Sequence, residues 1–156
     1  MVIKEDGCLM SVSEGFNQIR EYAQVYLVAV TIATELPPDA PLEEYKAVID
    51  VIRNRVKSGR WGKLAVDVVL ARNQFSAVCR ETYWRNAVAG NWLPSHVERC
   101  LNLWTVDWAD TTDGAMYYYS PISMIPQWSA PAWAASLVEV TVEGTRPTHF
   151  KFFKEK

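Results

Sequence analysis

The segment from Val28 to Pro38 constrains the fold of this chain more than any other. It is mostly apolar on every side, and it continues a helical spacing of apolar residues that begins after Ser13, which can serve as the N-cap. A helix without a polar face is normally buried, so we expect this one at the centre of the molecule. Pro37-Pro38 must end it, because proline lacks a backbone N–H and its ring blocks the preceding turn. The last helical residue is then Glu35, a lone carboxylate.

Two effects raise the pKa of a carboxylate in the position of Glu35. Apolar neighbours disfavour its charged form, and the negative end of the helix dipole does the same. A carboxylic acid that keeps its proton near neutral pH is what a glycosidase needs as its general acid. Glu35 therefore indicates cleavage of a glycosidic bond, and the alternative is an ordinary exposed glutamate at a helix end.

The rest of the chain predicts one mostly helical domain over residues 1–156, in which residues 1–12 form a loose N-terminal arm. Apolar spacing, caps and breakers predict further helices near 41–58, 64–71, 82–89 and 96–109. Extended segments are expected at 115–120, 138–142 and 149–153.

Composition and charge exclude several classes of function. The formal net charge is −2, which gives no general attraction to nucleic acid. No apolar run is long enough to span a membrane, and the charges within residues 1–10 do not fit a signal peptide. We therefore expect a protein that is made in the cytoplasm without stable membrane insertion.

The cysteines and histidines indicate no metal site. Cys8, Cys79 and Cys100 are an odd number without metal-ligand spacing, although a disulfide between Cys79 and Cys100 is possible. Two histidines, His96 and His149, are too few for a histidine-rich metal centre. Nothing in the sequence calls for a metal or an organic cofactor. A cysteine-dependent amidase that pairs Cys79 with His149 stays open as an alternative.

A single well-placed acid favours one of the two routes for glycosidic cleavage. Hydrolysis normally uses two carboxylates. A lytic transglycosylase needs one, because the 6-hydroxyl of the muramic acid attacks and the same carboxylate returns as the base. Since no partner for Glu35 is obvious in the sequence, the second route is favoured.

Five short blocks occur in order between Tyr26 and Phe153. They are residues 31–35, 48–60, 68–76, 114–119 (before Pro126-Gln127-Trp128) and 148–152. Together they resemble the SleB/CwlJ-type cell-wall hydrolase family, which includes spore cortex-lytic enzymes and phage endolysins. The resemblance implies a mainly α, α+β fold of the lysozyme-like or lytic-transglycosylase-like kind with a small β element. It also implies peptidoglycan as substrate, cleaved between N-acetylmuramic acid and N-acetylglucosamine.

The resemblance also implies roles for single residues. Glu35 matches the catalytic glutamate, which acts as general acid and then as base. We expect Gln74 and Ser76 to hydrogen-bond sugar hydroxyl or acetamido groups, although Gln74 can equally brace a loop. His149 is expected to orient a neighbour or contact the substrate, or to be a structural histidine.

Two further expectations concern the groove and the second acid. Tyr117 and Tyr119 alternate along an extended segment, so they share the face opposite Tyr118, and we expect that face to border the substrate groove. The family pattern has a second acid four positions after the glutamate. Here residues 36–39 depart from that pattern, and Asp39 either replaces the second acid or begins the next helix.

The function expected from the sequence is a monomeric, single-domain peptidoglycan muramidase, a lytic transglycosylase that serves as the endolysin of a phage with a Gram-negative host. It would accumulate in the host cytoplasm and reach the wall when a holin opens the membrane. The alternatives are a bacterial wall hydrolase whose export sequence has been removed and a non-catalytic peptidoglycan-binding or virion protein with the same fold.

Overall fold

The computed structural model describes residues 2–3, 9–10, 12–71, 75 and 94–156. Four α-helices lie in this part of the chain: α1 (Val12–Glu35), α2 (Leu42–Ser58), α3 (Ala65–Leu70) and α4 (Pro94–Trp104). The strands are β1 (Val2–Ile3), β2 (Leu9–Met10), β3 (Tyr117–Tyr119), β4 (Val138–Val140) and β5 (Lys151–Lys154). The predicted mainly α, α+β class is confirmed. The helix expected at 82–89 lies outside the described residues.

The beginning of the chain contains a pair of strands. Within the segment that we expected to be a loose arm, β1 and β2 pair antiparallel, with Val2 opposite Met10. Among the described residues, no helix is both long enough and apolar enough to cross a lipid bilayer.

The C-terminal half of helix α1 is buried, as its apolar pattern predicts. Ala29 and Ile32 are 0 % exposed. The hydroxyl of Thr31, which interrupts the apolar run, donates to the Leu27 carbonyl oxygen at 2.8 Å, so the buried polar group is satisfied. The helix ends at Glu35, before Pro37-Pro38. The predicted end of this helix is confirmed.

The boundaries of helix α2 agree with those predicted from the sequence, near residues 41 and 58. It begins after Pro41 and is closed by Gly59, whose φ of 67° lies in the left-handed region and whose N–H donates to the Val56 carbonyl oxygen. The buried face carries an apolar stripe at helical spacing, of which only Val56 remains partly exposed. The fully buried members are Tyr45, Val48, Ile49 and Ile52.

Polar residues of α2 hold the segment that leads into β3. The Asp50 carboxylate accepts hydrogen bonds from the Trp108 indole at 2.8 Å and from the Thr111 hydroxyl at 2.7 Å. The Asn54 amide donates to the Asp110 carboxylate and to the Ala115 carbonyl oxygen. This segment is therefore anchored on α2 along its length, and β3 starts from a defined position.

Helix α4 is shorter than its sequence pattern predicts. It ends at Trp104, whereas the apolar spacing extends to Ala109. The Arg53 guanidinium of α2 donates to the Trp104 and Val106 carbonyl oxygens, at 3.0 and 2.6 Å. These bonds satisfy carbonyl groups at the end of the helix, and the chain then turns so that Trp108 can reach Asp50. The prediction of a helix to Ala109 is wrong because these contacts come from a distant part of the chain.

The three-stranded sheet places its tyrosines on alternating faces. Its order is β3-β5-β4 with both pairs antiparallel, and Tyr118 lies opposite Phe152. The Tyr118 ring packs against the buried rings of Phe150 and Phe152, at centroid distances of 5.8 and 5.9 Å. Tyr118 thus faces the helical core, and Tyr117 and Tyr119 lie on the other face, as predicted.

Candidate active site

Glu35 and Tyr118 meet where the end of α1 lies against the small sheet. The Tyr118 hydroxyl donates a hydrogen bond of 2.6 Å to Glu35 Oε2. Because the Tyr118 ring is packed against two phenylalanines, its hydroxyl is held in one place. The carboxyl group that the sequence singles out is therefore oriented by a residue from the sheet.

The surroundings of Glu35 raise its pKa above the ordinary value of 4.5. Burial is the largest cause, and the Tyr118 hydrogen bond and the Arg55 charge offset it only in part. Burial also raises the pKa of Tyr118 well above its usual value, so the phenol stays protonated and remains a donor. The predicted direction for Glu35 is confirmed. The alternative of an ordinary exposed glutamate is wrong, because the side chain is half-buried.

Arg55 is the second group that acts on Glu35. It lies in the last turn of α2, it is 4 % exposed, and its Nε donates to the Met116 carbonyl oxygen at 2.7 Å. Since Met116 directly precedes β3, this bond also fixes the strand that carries Tyr118. Three separate elements, α1, α2 and β3, therefore converge on one carboxyl group.

Asp39 lies in the exposed turn between α1 and α2. Its charge acts on Tyr45 and on Arg146. The described groups that influence Glu35 are Tyr118 and Arg55, and neither is a carboxylate. The role of Asp39 as a second acid stays a prediction.

Tyr117 and Tyr119 belong to an aromatic cluster on the face of the sheet away from Glu35. The rings of both tyrosines lie within 6.0 Å of the Trp133 ring, and Tyr119 also stacks on Phe153 at 5.8 Å. The Tyr117 hydroxyl accepts from Arg60 at 2.8 Å and donates to Glu155 at 3.2 Å. Their contact with substrate stays a prediction.

The remaining expected site residues are His149, which the structure describes, and Gln74 and Ser76. The His149 Nδ1 lies 3.0 Å from the Thr148 hydroxyl oxygen, and the charge of His149 acts on Glu44. No hydrogen bond of the described residues joins His149 to Glu35. Gln74 and Ser76 lie outside the described residues.

The cysteine alternative receives no support from the described part of the chain. Cys100 is a buried free thiol. Burial raises the pKa of the Cys100 thiol to about 12, which keeps it protonated and unreactive. His96 is also buried and lies 2.9 Å from the Tyr45 hydroxyl oxygen. Cys79 itself lies outside the described residues.

No metal site stands out within the same ranges. Among the residues that the structure describes, no three His, Cys, Asp or Glu side chains come together in a way that can hold a metal ion.

Sequence reasoning did not identify the roles of Tyr118 and Arg55. Alternation along β3 predicts that Tyr118 lies on the face opposite Tyr117 and Tyr119, but it does not predict that its hydroxyl reaches Glu35. Tyr118 packs in the core and also donates a hydrogen bond to Glu35, because Glu35 itself lies at the edge of the core. No local pattern pairs Glu35 with Tyr118, because the two residues are 83 positions apart along the chain and meet only where α1 packs against the sheet.

Replacement of Tyr118 by phenylalanine is expected to raise the pKa of Glu35 further. The substitution removes a hydrogen bond that favours the charged carboxylate, while the packed ring is kept. A titration of the side-chain carboxyl carbons by NMR, with Glu35 assigned through Glu35→Gln, measures the change. Tyr119→Phe is the control and should leave the Glu35 midpoint in place. An unchanged midpoint in Tyr118→Phe contradicts the expectation.

A comparison with protein families identifies the family to which the chain belongs. A family model described as Cell Wall Hydrolase matches residues 39–144. The match includes Arg55 and Tyr118, while Glu35 lies just before it and His149 just after it. No curated protein and no solved structure matched the chain. Since the match covers more than half of the 156 residues, the chain belongs to the cell wall hydrolase family and is, at the level of that family, a peptidoglycan hydrolase.

Proposed function

We propose that this protein cleaves the glycan strand of peptidoglycan between N-acetylmuramic acid and N-acetylglucosamine, with Glu35 as the general acid. The observation that carries the proposal is the half-buried Glu35 carboxyl, which has a raised pKa and is held by Tyr118. A carboxyl group with a raised pKa can hold its proton and donate it to the bridging oxygen as the glycosidic bond breaks. Membership of the cell wall hydrolase family supports peptidoglycan as the polymer that is cleaved.

In the proposed reaction, Glu35 donates one proton and receives another, so it ends in the protonated state in which it began. Protonated Glu35 donates to the bridging oxygen, the bond from that oxygen to the muramic acid C1 breaks, and an oxocarbenium-like centre develops. The Tyr118 hydroxyl then donates to the new carboxylate. The 6-hydroxyl of the muramic acid attacks C1 and returns its proton to Glu35. The products are a 1,6-anhydromuramic end and a free hydroxyl on the leaving sugar, and no water is consumed.

The surroundings of Glu35 favour transglycosylation over hydrolysis. A hydrolase that inverts uses a second carboxylate to activate water, and one that retains uses it as nucleophile. The described groups that act on Glu35 are a phenol and a guanidinium, Tyr118 and Arg55. Asp39 is the candidate for a second acid if hydrolysis is observed.

Mass spectrometry of purified sacculi digested with the protein tests the proposal. Fragments that end in 1,6-anhydromuramic acid are expected. Reducing muramic acid ends would mean hydrolysis, and free stem peptides would mean an amidase. Binding to sacculi without any released fragment would favour a non-catalytic binding protein.

The biological setting that we propose is lysis of a bacterial host by a phage. The proposal follows from the family resemblance, because phage endolysins are among the proteins with these motif blocks. Expression of the protein in Gram-negative cells should cause lysis only when a holin is expressed with it. Lysis without the holin, or none with it, contradicts this setting.

A further inference from the structure

Arg55 is a buried cation that has no carboxylate partner among the residues that the structure describes. Its guanidinium lies over the Trp61 ring at 4.9 Å and over the Phe75 ring at 5.4 Å. None of the ion pairs among the described residues includes Arg55. Its Nη1 is buried and has no hydrogen-bond partner in that part of the chain.

Stability alone does not account for this arrangement. Burial of a charge carries a large free-energy cost, which an ion pair of good geometry normally offsets. Within the described ranges, Arg55 makes one hydrogen bond, to Met116, and lies over two aromatic rings, and these contacts offset only part of this cost. A methionine of similar volume fills such a site without the penalty. The charge itself therefore has a role.

The charge of Arg55 acts on few groups. Those that respond to it are Tyr118, Tyr117 and Glu35. The pKa of each tyrosine is raised, in both cases mainly by burial, so the phenols stay neutral. From the side of Glu35, the groups that act on it are Tyr118 of β3 and Arg55 of α2. Glu35 is thus the one of these partners that gains a negative charge in the proposed reaction.

We propose that Arg55 is a positioning residue for this reaction: a buried cation that stabilises the Glu35 carboxylate as it loses its proton, and that holds β3 in place through Met116. The inference rests on the proposed function. While Glu35 is protonated, the Arg55 charge is uncompensated. When the proton moves to the bridging oxygen, the new carboxylate interacts with that charge, so the interaction is stronger in the transition state than in the ground state.

The position of Arg55 is suited to this role. A cation beside the oxocarbenium-like centre would oppose the reaction. Arg55 is 4 % exposed and lies against Trp61 and Phe75, so its charge reaches Glu35 from the protein interior. It assists the acid without contact to the sugar.

The test compares Arg55→Met with a matched variant, Arg53→Met. Arg53 lies on the same helix and over the Trp108 ring at 4.2 Å, but it binds the Trp104 and Val106 carbonyl oxygens instead of acting on Glu35. In Arg55→Met, kcat should fall about tenfold, less than for loss of a group that contacts the transition state. Loss of the cation disfavours the carboxylate, so the alkaline limb of the kcat/KM profile should move to higher pH. In Arg53→Met the limb should stay.

Arg55→Lys separates charge from shape. Lysine keeps the cation but loses the planar fork, so kcat falls while the alkaline limb stays near that of the wild type. If Arg55→Met does not fold, Arg55→Gln takes its place, because its amide can still donate to Met116. If neither neutral variant folds, Arg55 is a structural residue and the proposal is overturned.

The outcomes keep this proposal apart from the proposed function. A wild-type protein that releases no glycan fragments overturns both. A wild-type protein that releases them, together with an Arg55→Met limb at the wild-type pH, overturns only the role of Arg55. A limb that moves equally in Arg53→Met also overturns it, because the effect would then not be specific to the cation near Glu35.

Discussion

Glu35→Gln is expected to reduce peptidoglycan cleavage by roughly a thousandfold, within the range that loss of a general acid causes. Glutamine is nearly isosteric and still accepts the Tyr118 hydrogen bond, but it has no proton to give. The release of soluble fragments from purified sacculi measures the effect. Glu98→Gln, at an exposed position of α4, is the matched control and should cleave at the wild-type rate.

The same substitution is expected to stabilise the fold, and the gain depends on pH. Because burial raises the pKa of Glu35, the folded protein carries a penalty that grows as the pH rises above 4.5 and is complete once the pH exceeds the raised folded value. Below the ordinary value of 4.5 the group is protonated in both states, and the penalty is absent. Each tenfold difference in proton affinity is worth about 1.4 kcal/mol.

Thermal unfolding of the wild type and of Glu35→Gln from pH 4 to pH 8 checks this second effect. The variant should melt at the same temperature as the wild type in acid and several degrees higher at neutral pH, since about 1 kcal/mol shifts Tm by roughly 2–4 °C at this size. A gain that is the same at every pH would mean that the charge of Glu35 carries no cost. Full activity in the variant would remove Glu35 from the mechanism.

Arg146→Met is expected to cause the largest loss of stability, about 3 kcal/mol, because it leaves a buried carboxylate without its partner; the loss lies at the lower end for a buried pair since the Arg146 side chain is 36 % exposed. The Glu44 side chain is 0 % exposed, and Arg146 donates to both of its oxygens at 2.8 Å. Chemical denaturation at neutral pH measures the loss. The pair joins the first turn of α2 to the segment before β5, so it ties the helices to the sheet.

An exposed ion pair provides the control for that loss. Arg60 and Glu155 pair with side-chain exposures of 48 % and 45 %, and Arg60→Met should leave the denaturation midpoint almost unchanged because water screens the pair. Glu44→Leu combined with Arg146→Met should recover much of the loss, since only the Arg146 N–H is then left without its acceptor. Equal losses in Arg146→Met and Arg60→Met would contradict the argument from burial.

The direction of the pH dependence is opposite to that of Glu35. Burial alone would raise the pKa of Glu44, but the Arg146 hydrogen bonds outweigh it and lower the pKa. The stabilisation is therefore complete above the ordinary value of 4.5 and is lost as the pH falls through the lower folded value. The difference between the wild type and Arg146→Met should shrink in acid.

Local rules predicted the elements whose causes lie within a few residues. Gly59 closes α2, and the prolines after Glu35 end α1, because each acts on the backbone beside it. The end of α4 was predicted wrongly, because Arg53, from another helix, provides the hydrogen bonds at that end. A boundary that depends on a distant partner leaves no signal in the local pattern.

The sequence by itself determined that a lone acid stands at the end of a buried helix, and that its pKa is raised. Apolar spacing and two prolines act on neighbouring residues, so the local pattern was enough to predict a buried helix end and the direction of the pKa shift. Only the tertiary structure decided which groups act on that acid. Tyr118 is 83 residues away along the chain, and it reaches Glu35 because β3 is held by Asn54 and Arg55 of α2. Contacts of this kind depend on how helices and sheet pack, and no spacing of residues within one element encodes them.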